Sequence, residues 1–262
     1  MADAPTPGEI FERAVEEGKR RLDQSLLELT STSFIAGFTI VLGIVALGIV
    51  EAIIEPQFGE VAKIGGALAF GVGLVFLVIG STELFNENFS DPAAAAVDRS
   101  GSWMVYPLVR LWAVTLVFNL FGGFLFALVF SVDGVLPPGT QEALSTLAEQ
   151  SVDRGAEAWF ASAIAGGVLV SLLSFLLVAV ESSGSRFGLA YVVGFLLALG
   201  PFDHVVVTVL HVFFGIIFGA DVGFTALGAM LVVVTAGNFV GGLGLVTFTH
   251  VTQAIGARES GE

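Results

Sequence analysis

The chain contains no cysteine, which excludes disulfides, thiolate nucleophiles and Cys-ligated metals. Its three histidines are dispersed and none lies in a His-Glu-x-x-His pattern, so no metal site is expected. Glycine is plentiful at 33 residues, yet no stretch of it forms a Walker or dinucleotide loop, and no cofactor is expected. Lysine is nearly absent: two of the ten basic residues are lysines, against 24 acids, for a formal net charge of −14. No nucleic-acid partner is expected of so acidic a chain.

What the chain has instead is apolar length. It is 55% hydrophobic with a mean hydropathy of +0.90, and windows of about 19 residues give six spans, near 33–55, 63–80, 104–131, 158–181, 187–219 and 226–250. Segments such as Ile40 to Val50 are apolar at every position, whereas a membrane barrel needs alternation. The fold class is therefore all-α, a polytopic membrane protein whose spans satisfy their own backbone hydrogen bonds. Arg13, Lys19, Arg20 and Arg21 precede the first span, placing the N-terminus in the cytoplasm; Arg99, Arg110, Arg186 and Arg258 then fall on the inner side, and only Lys63 and Arg154 outside. Six spans return the C-terminus to the cytoplasm of a cell (plasma) membrane protein. The expected organisation is a cytoplasmic segment 1–32, a three-helix unit 33–131, an outer connecting loop 132–157, a second unit 158–250 and a cytoplasmic tail 251–262.

The acids crowd the water-facing segments, as in proteins that work in concentrated salt, and a halophilic source is the expectation. The first thirty residues are charged and helical in pattern, unlike a secretory signal. Thr6, Pro7 and Glu9 read as a capped helix start. Ile10, Phe11, Ala14, Val15, Leu22, Leu26 and Leu29 then recur at helical spacing, as in an amphipathic helix lying on the membrane surface.

An internal repeat organises the rest. Gly37, Leu42, Leu47, Val50 and Glu51 recur at one constant offset as Gly167, Leu172, Leu177, Val180 and Glu181. Leu77, Gly80 and Glu83 recur as Leu197, Gly200 and Asp203, and the Asn119 to Gly123 run recurs from Asn238 to Gly242. Three spans per half is an odd number, so the halves are expected to insert as inverted repeats. The second span of each half is broken, from Gly80 to Pro92 and from Gly200 to His204. Backbone freed at such depth survives only when buried in protein or lining a wet cavity, and a pore is expected there.

These residues resemble the formate/nitrite transporter family over nearly the whole chain. Glu83-Leu84-Phe85-Asn86 is similar to the family's acid-Leu-Phe-Thr loop, Gly200-Pro201-Phe202-Asp203-His204 to its Gly-Phe-acid-His break, and Asn119 to Gly122 with Asn238 to Gly241 to its Asn-x-x-Gly pattern. The chain departs from the pattern at Asn86, at Ser171 where the family has a pore Asn, and at Gly155 where the family has a vestibule lysine, with Arg154 beside it as a substitute. A divergent, haloarchaeal-type member is expected. The resemblance implies a homopentamer of aquaporin-like protomers in the lipid bilayer, each passing a small anion such as formate, nitrite or hydrosulfide.

Within that frame His204 is the expected central polar residue, since an imidazole titrates near neutral pH and can protonate an anion at a narrow point. Leu84, Phe85 and Phe202, with Leu197 opposite, are the expected apolar constrictions; Asn86 and Ser171 line the path, and Arg154 gathers anions at the outer mouth. Glu83 and Asp203 are expected to cap freed backbone N–H groups, and Asn119 and Asn238 to tie the broken segments across the bundle. His211 is expected in an interhelical bond or subunit contact, and His250 at the cytoplasmic end of its helix. An intramembrane enzyme using Asp203 and His204 would need a nucleophile or metal set that the chain lacks. The remaining alternative is a non-transporting scaffold or sensor with an occluded pore.

Overall fold

The computed structural model describes residues 5–99 and 104–260, all helix, turn or loop. The side chain of Arg258, counted above with the inner charges, lies outside the described residues. Helix α1, Pro7–Asp23, starts on the expected capping box: Thr6 Oγ1 accepts from Glu9 N at 3.3 Å and Glu9 Oε2 accepts from Thr6 N at 2.7 Å. Its apolar face does not rest on lipid. Phe11, Ala14 and Val15 are buried against Ala94, Val251 and Ala254, and Gly18 sits on the Asp91 carbonyl with no room for a side chain. An amphipathic stripe shows that a helix has an apolar partner, and here the partner is the protein's own bundle.

Helix α2, Leu26–Phe58, and helix α3, Ala62–Ile79, form an antiparallel hairpin around Gly59, whose φ of +54° suits the reversal. Gly43 lies on Gly73, and Gly66 on Glu51, so the register runs in opposite directions. Helix α3 stops at Gly80; extended chain and one 3-10 turn, Phe85–Asn88, lead to α4, Ser90–Asp98. Helix α5, Val105–Phe130, follows.

The segment expected as an outer loop instead contains α6, Thr140–Asp153. Leu144 packs on Gly48 and Ala148 on Gly215, so this connection belongs to the bundle. Its Ala143, Leu144, Leu147 and Ala148 carry a helical apolar spacing that is too short for a membrane span. Helix α7, Gly155–Ala179, precedes two half-helices, α8, Ser183–Leu199, and α9, Val205–Ile217, which divide the fifth apolar stretch. Helix α10, Phe224–Phe239, continues through a π-helical stretch, Val240–Thr247, into α11, Phe248–Ser260. The last helix therefore outruns the expected end of the sixth span, because Val251 and Ala254 are buried on α1.

By length and composition Leu26–Ile79, Val105–Phe130, Gly155–Ala179 and Phe224–Gly256 can cross a membrane, and the first of these is the α2–α3 hairpin. Helices α8 and α9 are shorter apolar pieces. The sequence repeat has a counterpart in the contacts. A Cβ on Gly37 would fall on the Asn119 carbonyl, and one on Gly167 on the Asn238 carbonyl; Gly122 abuts Phe34 O as Gly241 abuts Ile164 O. Every pair obeys the same sequence offsets, so α2 and α5 cross as α7 and α10 do. Both crossings bring backbones together where only hydrogen fits.

Candidate functional site

Each break is held by one buried asparagine. Asn119 Nδ2 donates to Ser33 O at 2.8 Å and Glu83 O at 2.9 Å, while its Oδ1 accepts from Phe85 N at 3.0 Å. Asn238 Nδ2 donates to Ala163 O and Asp203 O, both at 2.7 Å, and its Oδ1 accepts from Val205 N at 2.9 Å. An amide suits the task because it donates and accepts at once, satisfying groups on a helix and on the break.

The carboxylates of Glu83 and Asp203 therefore do not cap backbone, contrary to the sequence expectation. Glu83 Oε1 accepts from Gln24 Nε2 at 2.9 Å and Arg20 Nη2 at 3.2 Å. Asp203 takes Arg154 Nη2 on both oxygens at 2.8 Å, and Thr208 Oγ1 on Oδ1 at 3.4 Å. The asparagines already fill the capping positions, which leaves the acids free to meet cations. Arg154 also donates to Ser162 Oγ at 3.2 Å, so the expected anion collector is a neutralised ion pair.

Two cavities flank these breaks. One of about 370 Å³ is lined by α1 residues Glu17, Arg20 and Arg21 and by Glu83, Glu87 and Asp91 of the first break. The other, about 250 Å³, is lined by Glu51, Arg154, Leu197, Phe202, Asp203 and His211, among others. Gln24, bonded to Glu83, precedes α2, whereas Leu47 and Glu51 lie toward its far end. At 1.5 Å per residue the cavities are separated by roughly 35–40 Å of helix.

Leu84, Phe85, Asn86, Ser171 and His204 are buried and line neither cavity. Phe85 stands edge-on to Phe89 and Phe239, with centroids 5.0 and 5.6 Å away. Ser171 Oγ donates to Asn86 O at 3.4 Å. Leu197 and Phe202 line the second cavity, apart from Leu84 and Phe85, which line neither. Both ring nitrogens of His204 and both amide atoms of Asn86 are buried without a hydrogen-bond partner. Orphaned polar atoms at such depth are costly, about 1–3 kcal/mol each. His211 Nε2 is likewise buried without a partner within the protomer. His250 Nδ1 lies 2.8 Å from Val246 O, its ring against Phe175.

Sequence reasoning missed the α1 charge cluster. Arg21, on the buried face of α1, donates to Glu87 O at 2.8 Å and Asn88 Oδ1 at 3.1 Å, with Glu83 Oε2 at 3.7 Å and Asp91 Oδ2 at 3.8 Å. The available signal was its register: Phe11, Ala14, Val15, Gly18, Arg21 and Leu22 share one face. Burial opposes the Arg21 charge, but Glu83 and Asp91, followed by Glu17, outweigh it and raise its pKa.

Glu17 is pulled the other way. Burial pushes its carboxyl up, yet hydrogen bonds from Arg20 and Arg21 and their charges hold it at about 2, below the ordinary 4.5. A depressed carboxyl stabilises fully above pH 4.5 and loses that contribution as pH falls toward about 2. Glu17→Gln is therefore expected to flatten the acid limb of thermal stability in detergent; parallel acid limbs in the two proteins would contradict this.

The formate/nitrite transporter family model matches residues 8–252. The chain belongs to the formate/nitrite transporter family. Members of the family are membrane channels and transporters, not enzymes, and this member is an integral membrane protein. It is 28% identical over 248 residues to the uncharacterized transporter YrhG of Bacillus subtilis (strain 168), covering 92% of each chain. A probable formate transporter of Methanothermobacter thermautotrophicus is 28% identical over 232 residues, 80% of this chain and 82% of that one. A solved FNT family ion channel shares the fold with a TM-score of 0.81 at 18% identity, covering 93% of this chain and 98% of that chain. A pentameric formate channel with formate bound gives 0.73 at 20% identity, covering 88% and 98%.

Proposed function

We propose that this family member carries a small monovalent anion of the formate or nitrite class along a path through each protomer, between the two cavities and past His204. The observation that carries this reading is the pair of unpartnered buried nitrogens on His204, set at the start of α9 beside Asp203 of the second cavity. An anion entering this apolar layer loses hydration at a cost of several kcal/mol. The positive end of α9 offsets part of that cost. The imidazole supplies the rest: an imidazolium N–H transfers its proton to a carboxylate or nitrite oxygen, the neutral acid passes and dissociates beyond, and the imidazole takes up a fresh proton from the water of the entry side, so that one proton crosses with each anion. Asn86, Ser171, Leu84 and Phe85 form the narrow layer on one side, and Leu197 with Phe202 the other.

The finer architecture belongs to the same reading. The equivalent contacts around Asn119 and Asn238 support two inverted repeats of three spans. The pentameric neighbour supports a homopentamer, the arginines of α1 support cytoplasmic termini at a plasma membrane, and the acidic surface supports a haloarchaeal-type protein working in high salt.

Flux in proteoliposomes tests the function, with formate, nitrite, hydrosulfide, acetate, lactate and chloride compared across pH at high and low salt. Entry of formate or nitrite is expected. Vesicles sealed to every anion would favour the occluded scaffold, a reading supported by the separation of the two cavities. The Arg154–Asp203 pair makes a second expectation. Asp203→Asn releases the guanidinium, so the half-saturating formate concentration should fall about 3- to 10-fold, equivalent to ~0.7–1.4 kcal/mol. An unchanged or higher value would mean that Arg154 attracts no anion.

A further inference from the structure

The cavity beside α1 holds a charge imbalance that anion passage does not explain. Glu83, Glu87 and Asp91 are nearly or fully buried in its wall, while Arg21 is the one deeply buried cation among its lining residues. Facing Glu87 are Glu17, Arg20 and Arg21 from α1, Glu83 and Asp91 from the break and α4, and Arg186 from α8. Glu17 is engaged with Arg20 and Arg21, and Arg20 also reaches Glu83. Arg21 bonds the backbone oxygen of Glu87, not its carboxylate. Asp91 Oδ2 accepts from Ser174 Oγ at 2.9 Å, but Asp91 Oδ1 and Glu87 Oε1 are buried with no partner.

Crowded carboxylates with too few cations cannot all stay ionised away from water. A bound metal cation would need several oxygens converging on one point. Among the described residues no group of three acids or histidines is so placed. A proton needs a single oxygen, and Glu87 is the carboxyl with the least compensation.

We propose that this cavity is a proton-binding site in which the Glu87 carboxyl takes up one proton from water, by way of the half-exposed mouth at Arg20 and Glu17, while Asp91 remains the ionised neighbour. Uptake converts carboxylate and hydronium to carboxylic acid and water, with no other reactant. It removes one negative charge from the wall. The consequence for transport rests on the anion reading above: the protonated cavity admits an anion and the ionised one repels it. The site would then gate occupancy separately from His204.

The test uses the whole protein in lipid, with difference infrared spectra recorded across pH in sodium-free and potassium-free buffer. A protonated-carboxyl carbonyl band is expected at neutral pH, with a component lost in Glu87→Gln and retained in the exposed control Glu60→Gln. In Asp91→Asn that component should persist and titrate away at lower pH, because one repelling charge is gone. Absence of the band in the unsubstituted protein, or a band unchanged in Glu87→Gln, overturns the proposal. Loss of the band on adding sodium or potassium chloride at fixed pH also overturns it, in favour of an alkali-cation site. Formate flux is measured in the same vesicles: Glu87→Gln should reduce the alkaline fall in flux, leaving the part that depends on His204. If no anion crosses at all, the transport reading fails while the band still decides the proton site.

Discussion

Arg21→Met is expected to lower stability at neutral pH by about 3–5 kcal/mol, the cost of leaving buried partners without their counter-charge. Methionine preserves much of the stem, so packing along α1 changes little and the loss is electrostatic. Glu87 O and Asn88 Oδ1 each lose a charge-assisted hydrogen bond, and Glu83 and Asp91 lose their nearest deeply buried cation. The penalty should shrink on acidification, because protonating those carboxyls removes the uncompensated charge. Arg21→Lys should recover part of it, since an ammonium restores charge but not the two-sided guanidinium geometry. Thermal melts at neutral and acidic pH, with protease sensitivity of the α1–α2 junction, read both effects. A loss below about 1 kcal/mol, typical of exposed ion pairs, would show that α1 is not docked through this residue.

Asn238→Leu and Asn119→Leu should each destabilise by about 2–6 kcal/mol and by similar amounts. Each removes three buried hydrogen bonds and leaves at least two backbone groups unpaired, at about 1–3 kcal/mol apiece. The carbonyls of Ser33 and Ala163 lie within helices and keep their ladder partners; those at the breaks do not. The functional effects should differ. Val205 follows His204 directly, so Asn238→Leu loosens the imidazole, whereas Asn119→Leu loosens Leu84, Phe85 and Asn86. Melting and formate flux on both variants test this, and tolerance of either substitution would break the equivalence of the two halves.

Much of this arrangement was legible because it depends on local chemistry. Gly80 to Pro92 and Gly200 to His204 announce themselves as breaks through residues that cannot continue a helical ladder. Gly37 with Asn119 and Gly167 with Asn238 repeat at constant offsets because the same close crossing is built twice. What escaped depends on partners remote in sequence. Arg154 and Asp203 are 49 residues apart, and only their contact shows that the arginine is neutralised and that the acid is not a cap. The docking of α1 on α4 and α11 escaped because an apolar stripe does not say whether lipid or protein covers it. Helix α6 escaped because a few apolar residues scattered through a 14-residue polar helix fall below the length of a span.

The most direct test of transport past His204 is initial formate uptake into proteoliposomes over a pH series, with the unsubstituted protein beside His204→Asn and oligomeric state checked for both. The expected result is an intact assembly whose uptake is lower and whose pH response is weakened to the part that Glu87 contributes, while the unsubstituted protein takes up more formate as the pH falls. Identical uptake and identical pH response in the two proteins would remove the imidazole from the path.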